Sequence, residues 1–316
     1  MKIIPQSSIK SLGIQPATCL EWVKESFSIK KDSQLPAKIS VHPQGYDFYT
    51  AMPCLLPAGF DRVGLKMVHR VKGAVPSLGS DILLYKASTG ELLAFMDCDW
   101  ITAMRTGATA TLAAQTLRKS GDITYSIMGL GNTARATILC LLESEPDIHH
   151  RIILKSYKDQ AALFKDRFKG YSNVSFEESD SIQEMFSSSD VIFSCVTDAD
   201  GLFCEEQSCF RPGCTLIPVH VRGFQNCDLF FDKVFGDDTA PLRSWKYFNQ
   251  YRHYAELQDV IEGKDPGREN DTERIISYNY GLALHDTLFA ARIYEMLKDR
   301  DFQDIPINKE TNKFWL

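Results

Sequence analysis

The stretch TYSIMGLGNTARATILCLL, Thr124 to Leu142, decides the fold. A short apolar run ends at Met128, two glycines follow, and a helix-compatible run opens at Asn132. Gly129, Gly131 and Ala134 make the pattern G-x-G-x-x-A. Each position has a physical task. Gly129 permits a tight turn, Gly131 lets backbone approach a pyrophosphate, and Ala134 allows close helix–strand packing. The helix start, with Asn132 and Thr133, supplies free N–H groups and a partial positive charge that suit phosphates. Three small residues alone are weak evidence. The strand before them and the helix after them give the pattern its meaning.

Downstream, apolar runs alternate with amphipathic stretches. The runs are RIILKS (Arg151 to Ser156), NVSFE (Asn173 to Glu177), DVIFSCVT (Asp190 to Thr197), TLIPVHV (Thr215 to Val221) and KVFGDD (Lys233 to Asp238). Fully apolar strands joined by crossover helices make a parallel sheet covered on both faces. The fold class is therefore α/β: a Rossmann-like, doubly wound parallel sheet over residues 121–274. Residues 1–120 read as α+β. Two apolar runs flank Ser88-Thr89-Gly90, a hairpin signature, and an Ala/Thr-rich helical stretch follows. The closing stretch, Gly281 to Arg300, puts Leu282, His285, Phe289, Ile293 and Met296 on one helical face. That stripe must be buried, so the helix is expected to return to the N-terminal part. The result is a discontinuous substrate and dimerisation domain, 1–120 plus 275–316.

Cofactor choice is read at the end of the second strand. An acid there would bind the ribose hydroxyls of NAD. Lys155, Ser156 and Lys158 stand in its place, and basic and hydroxyl groups suit a 2′-phosphate. The cofactor is NADP or NAD, with NADP favoured. Thr197, ending the DVIFSCVT run, is a further cofactor candidate.

Composition narrows the classes. Among 316 residues, 44% are hydrophobic and 24% charged, with a net charge of −6. No block of Lys and Arg could neutralise a run of phosphates, which argues against a nucleic-acid partner. No run of about 20 apolar residues could span a bilayer. With no secretory pattern at the N-terminus and an odd count of nine cysteines, the expectation is a cytoplasmic protein with reduced thiols. Cys204, Cys209 and Cys214 cluster without metal-ligand spacing, so they are read as small buried hydrophobes and no metal is expected.

Four segments occur in order: GLKMV (64–68), TGELLAFMDCDWITAMRTGATATLAA (89–114), the glycine turn, and GKDPGRENDTERIISYNYGLALHD (263–286). Together they resemble the ornithine cyclodeaminase/μ-crystallin family over nearly the whole chain. The resemblance implies a homodimer and a pyridine-nucleotide enzyme. Such an enzyme oxidises or reduces a small amino acid or cyclic imine, or cyclises ornithine with loss of ammonia. The crystallin branch adds a non-enzymatic, nucleotide-binding alternative. By motif position, Lys66 and Arg105 match residues that bind substrate, and Lys38 stands where the family commonly has Arg.

Chemistry supports these residue types independently. Arg105 can hold an α-carboxylate bidentately, and Lys66 between apolar neighbours would be partly desolvated and useful in proton transfer. The competing reading is that both make structural ion pairs. Cyclodeaminases carry an Asp after the strand equivalent to TLIPVHV; Arg222 falls there instead. A guanidinium would repel an ornithine ammonium, which puts cyclisation in doubt. Arg222 either faces the pocket and recruits a second carboxylate or another anion, or it turns outward, or pairs with Asp228 or another nearby acid. His220, at a strand end, is a candidate proton donor to an imine nitrogen or a core histidine. Asp286 is read as a structural residue or a partner to the site. The candidate catalytic set is thus Lys66, Arg105, His220 and Arg222.

Overall fold

The computed structural model describes residues 1–225, 227–302 and 305–306. Its backbone divides into two compact units. Unit one comprises Met1–Ile14, Ile29–Thr102 and the described residues from Ala283 onward; unit two comprises Gln15–Ser28 and Ala103–Leu282.

Unit one is built on a sheet of β1 (Lys2–Ile4), β2 (Ile39–Val41), β3 (Phe48–Leu55), β4 (Arg62–Arg70), β5 (Leu78–Lys86) and β6 (Leu92–Asp97). Their spatial order is β1-β6-β5-β4-β3-β2. The expected hairpin joins β5 to β6, and Gly90 takes a φ of 70° in its turn. Alternation along the strands sorts side chains by face. Met52, Cys54, Lys66, Ile82, Leu84, Ala94 and Met96 all point to one buried face.

The helices in chain order are α1 (Gln6–Lys10), α2 (Pro16–Ser28), α3 (Asp99–Leu117), α4 (Asn132–Ser144), α5 (Gln160–Arg167), α6 (Ile182–Ser188), α7 (Thr239–Leu242), α8 (Leu257–Ile261) and α9 (Ala283–Leu297). Helix α9 lies on β4, flanked by β3 and β5. Gly64 makes this approach possible, because a Cβ there would overlap Thr287. Of the stripe read from the sequence, Leu282, His285, Phe289 and Ile293 are buried; Met296, near the helix end, is 47% exposed.

Unit two holds eight parallel strands: β7 (Thr124–Met128), β8 (His150–Lys155), β9 (Val174–Ser179), β10 (Val191–Ser194), β11 (Thr215–Pro218), β12 (Lys233–Gly236), β13 (Tyr254–Glu256) and β14 (Ile275–Tyr278). The order is β13-β12-β14-β11-β10-β7-β8-β9. Strands β10, β11, β12 and β14 are buried at every position. The chain runs outward from β7 to β8 and β9, then returns to the other side of β7 as β10. This reversal is a topological switch point, and its crevice lies at the carboxyl ends of the strands.

Two expectations change here. The boundary drawn at residue 274 cuts off β14, which is paired on both sides with β11 and β12, so 275–282 belong to the second sheet. Residues 15–28 and 103–120 also fall in unit two; α2 packs on α4, and the Cys140 thiol donates to the Pro16 carbonyl at 3.7 Å. The second change concerns the thiols. Cys204 and Cys209 are joined by a disulfide, whereas the other seven cysteines are free and buried. A five-residue separation in a loop brings those two sulfurs together, which a reading of all nine as reduced thiols could not accommodate.

Candidate active site

The glycine turn forms a cradle. Gly129 has a φ of 77°, and a Cβ there would stand 2.5 Å from the Cys195 carbonyl carbon, so only glycine fits. Gly131 caps α4 without any side-chain cap, and no atom lies within 4 Å of where its Cβ would be. Ala134 is fully buried. Uncapped N–H groups facing open space at a helix start fit an anion such as a dinucleotide pyrophosphate. Asn132 and Thr133 occupy the first turn as expected. Arg135, also there, escaped the sequence reading. A cation at a helix N-terminus opposes the helix dipole unless an anion joins it, and that was its legible signal. Its Nε is buried without a hydrogen bond.

At the tip of β8, the Lys155 ammonium donates to the Ser156 carbonyl at 3.0 Å. The Ser156 hydroxyl donates to Glu178 at 3.1 Å, and Lys165 donates to the same carboxylate at 2.6 Å. Lys165 and then Ser156 hold the Glu178 carboxyl below its ordinary range. Lys158 is exposed with a φ of 53°, its ammonium 5.1 Å from the Tyr157 ring centre. Sequence order hid Glu178, which arrives from the neighbouring strand. Thr197 is exposed, three residues past β10.

The end of β14 carries a second constellation. Asp237, buried just after β12, accepts the backbone N–H of Tyr280 at 3.0 Å and of Gly281 at 2.6 Å. Gly281 has a φ of 86°, and a Cβ there would come within 2.6 Å of Arg105 Nη1. The Arg105 guanidinium thus lies against the loop that Asp237 fixes, with only 8% of the residue exposed. Asn279, in the same loop, is 4% exposed, and neither atom of its carboxamide has a hydrogen-bond partner. Such an orphaned group is costly unless a ligand completes it. Asp237 and Asn279 were both missed, although each lies in a stretch the sequence marks (KVFGDD and residues 263–286), because their contacts come from tertiary structure.

His220 and Arg222 follow β11 and are half-buried. Asp228 accepts the Tyr278 hydroxyl at 2.8 Å and faces Tyr251. Burial, then the neighbouring Cys227 and Asp228, push the Tyr278 phenol well above its ordinary range.

Within unit one, Lys66 and Asp286 form an ion pair at 2.8 Å, and both side chains are fully buried. The sequence named both residues without joining them. Beside them, burial raises the Cys54 thiol to about 12. Lys38 is half-buried immediately before β2. A separate cleft of about 630 Å³ near Arg243, Tyr254 and Glu256 contains none of the candidate residues.

The model of the ornithine cyclodeaminase/mu-crystallin family matches residues 6–301. The chain belongs to the ornithine cyclodeaminase/mu-crystallin family. Among curated proteins, N-((2S)-2-amino-2-carboxyethyl)-L-glutamate dehydrogenase of Staphylococcus aureus is 25% identical over 258 residues, covering 77% of this chain and 76% of that one. Among solved structures, Δ1-pyrroline-2-carboxylate reductase of Thermococcus litoralis with NADH and L-proline superposes with a TM-score of 0.80 at 22% identity, covering 93% and 97%. An archaeal alanine dehydrogenase dimer with bound NAD gives 0.82 at 22% identity, covering 98% and 99%. At such identity the structural likenesses establish the family fold. Among the described residues, no helix is long and apolar enough to cross a membrane.

A fully buried ion pair is costly to break and cheap to replace. Lys66→Met should lower unfolding free energy by about 3–5 kcal/mol, because the Asp286 carboxylate stays buried without its cation. The double variant Lys66→Met/Asp286→Leu should recover most of that loss in urea denaturation. A double variant no more stable than the single one would contradict the pairing.

Proposed function

We propose that the protein is an NAD(P)-dependent oxidoreductase acting on the C–N bond of a small amino acid or cyclic imine. The observation that carries this reading is the loop after β14. It holds the Arg105 guanidinium against Gly281 and leaves the Asn279 carboxamide unpartnered in the same sheet as the glycine cradle. Relatives named as an aminocarboxyethyl-glutamate dehydrogenase and a pyrroline-carboxylate reductase support it.

When bound, the nicotinamide supplies the hydride that turns an imine carbon into an amine carbon. The chain's own groups do the rest. Gly129, Gly131, Asn132, Thr133 and Ala134 would hold the pyrophosphate at the start of α4, with Thr197 as a further contact to the cofactor. Lys155, Ser156 and Lys158 favour a 2′-phosphate, so NADPH is the preferred form. Arg105 fixes the α-carboxylate through two parallel hydrogen bonds. In unit one, Lys66, held in place by Asp286, and Lys38 are the further substrate-binding candidates. His220 donates a proton to the imine nitrogen, balancing the hydride that reaches carbon.

We also infer a homodimer. Exposed apolar residues gather on the outer face of β2, β3 and β4: Ile39 is 69% exposed, Val41 61%, Met67 39% and Tyr49 37%, all in register on one side. A patch of that kind marks an interaction surface, and a second copy covers it symmetrically. Sedimentation should give a dimer for the native chain and a monomer for Ile39→Glu/Val41→Glu; a monomeric native chain would refute this.

The activity is tested by following NADPH and NADH absorbance with a panel of α-imino acids. Oxidation is expected, faster with NADPH. Arg105→Met should reduce kcat/KM about 10–100-fold, the equivalent of one charge-assisted hydrogen-bond set, while nucleotide affinity is kept. Ammonia release without any absorbance change would instead indicate cyclodeamination. Nucleotide binding without turnover of any substrate would indicate a binding protein.

A further inference from the structure

Asn279 immediately follows β14 and is 4% exposed, yet neither Oδ1 nor Nδ2 of its carboxamide has a hydrogen-bond partner. A carboxamide carries an acceptor oxygen and an NH₂ donor side by side. Burying both unmet is costly, and folded proteins meet nearly all of their buried polar groups. The backbone around this orphan is firmly held. The Asp237 N–H donates to the Tyr278 carbonyl at 3.2 Å, and the Asp237 carboxylate takes the N–H groups of Tyr280 and Gly281. The unmet carboxamide is therefore built into a fixed loop.

Alternation along β14 gives its side. Ile276 and Tyr278 join Leu216 and Val234 in the core on one face of the sheet. Odd-numbered positions look to the other face. Thr215, opposite Ile275 in the register, lies on that face, and its hydroxyl donates to the Leu117 carbonyl at the end of α3 at 3.1 Å. Arg105 stands on α3, and a Cβ at Gly281, two residues past Asn279, would come within 2.6 Å of its Nη1. Asn279 and the Arg105 guanidinium thus belong to one side of the sheet and to one loop.

On the oxidoreductase reading, on which this inference rests, Arg105 holds the α-carboxylate. The nitrogen of an α-amino or α-imino acid is bonded to the carbon that bears that carboxylate. One edge of such a ligand therefore offers an acceptor, the carboxylate oxygen, beside a donor, the N–H. A carboxamide is the complement of that edge. We infer that Asn279 reads it: Nδ2 donates to the carboxylate, and Oδ1 accepts the N–H. A protonated amine nitrogen carries at least two N–H bonds, so Oδ1 holds one while His220 exchanges the other. A 2-oxo acid brings no N–H and leaves Oδ1 buried and unmet, which is how a polar site rejects an analogue. Asn279 is then the residue that selects nitrogen-bearing acids over oxo acids.

The test uses pyrrole-2-carboxylate and 2-furoate, planar ring acids that differ by N–H against O. Each is titrated calorimetrically into the full chain with saturating NADP. The native chain should bind the pyrrole acid at least about tenfold more tightly. Asn279→Leu should bring that ratio close to one and keep NADP affinity within about threefold. Without ligand, Asn279→Leu should melt at the native temperature or above it, because leucine removes an unmet buried polar group. Asn279→Ala serves for the ratio should leucine not fit. A native ratio near one, or a ratio kept in both variants, would overturn the inference. A preference for NADP over its 3-acetylpyridine analogue that disappears in Asn279→Leu would place the carboxamide on the nicotinamide and overturn it too. Failure of the oxidoreductase reading looks different: neither ring acid binds any form of the chain and no imine is reduced by NADPH, which overturns both.

Discussion

One buried carboxylate organises the carboxyl edge of the unit-two sheet. Asp237 leaves β12 with no exposed surface and takes the N–H groups of Tyr280 and Gly281. Those donors would otherwise be orphans at a strand end, and burying them unpaired would cost about 1–3 kcal/mol each. By holding them, Asp237 fixes a glycine at positive φ, and that glycine leaves room for the Arg105 guanidinium. Without the clamp the loop could rotate, and both Arg105 and Asn279 would lose their fixed direction. A remote carboxylate thus fixes the loop against which the Arg105 guanidinium lies.

The same edge shows how strain and charge are distributed. Gly129 and Gly281 accept positive φ at little cost, because glycine has no Cβ to clash. Val221 accepts it at a real cost and is held by hydrogen bonds from several sides. Glycine provides room where backbone must come close to another group; Val221 is kept in the same region by the hydrogen bonds around it. In unit one, the Lys66–Asp286 pair is of another kind. Two charges are buried together on a sheet face otherwise lined by Met52, Ile82 and Leu84, and that arrangement is retained despite its desolvation cost.

Much of this was legible in the sequence. The glycine turn, the apolar strands and the hairpin around Gly90 follow from local pattern, and the structure places them as read. Lys66, Arg105, His220 and Arg222 were named from motif position and chemistry. The partner of Lys66 and the clamp behind the Arg105 loop were hidden because they arrive through tertiary structure. Asp286 is 220 residues from Lys66, and Asp237 is 44 from Gly281. Strand β14 is only four residues long and sits inside a motif, so its apolar run was not separated from the loop around it. Its omission moved the domain boundary. The Cys204–Cys209 disulfide went unread because which thiols can pair depends on three-dimensional proximity.

The central claim is that a cationic site reads the α-carboxylate of an imino acid beside the nicotinamide. The most direct measurement compares Δ1-pyrroline-2-carboxylate with Δ1-pyrroline, the same ring without its acid group, in NADPH oxidation at matched concentrations. The account predicts oxidation with the acid and a rate at least about 10–100-fold lower with the parent imine, the worth of a charge-assisted contact. Equal rates with the two rings would contradict it.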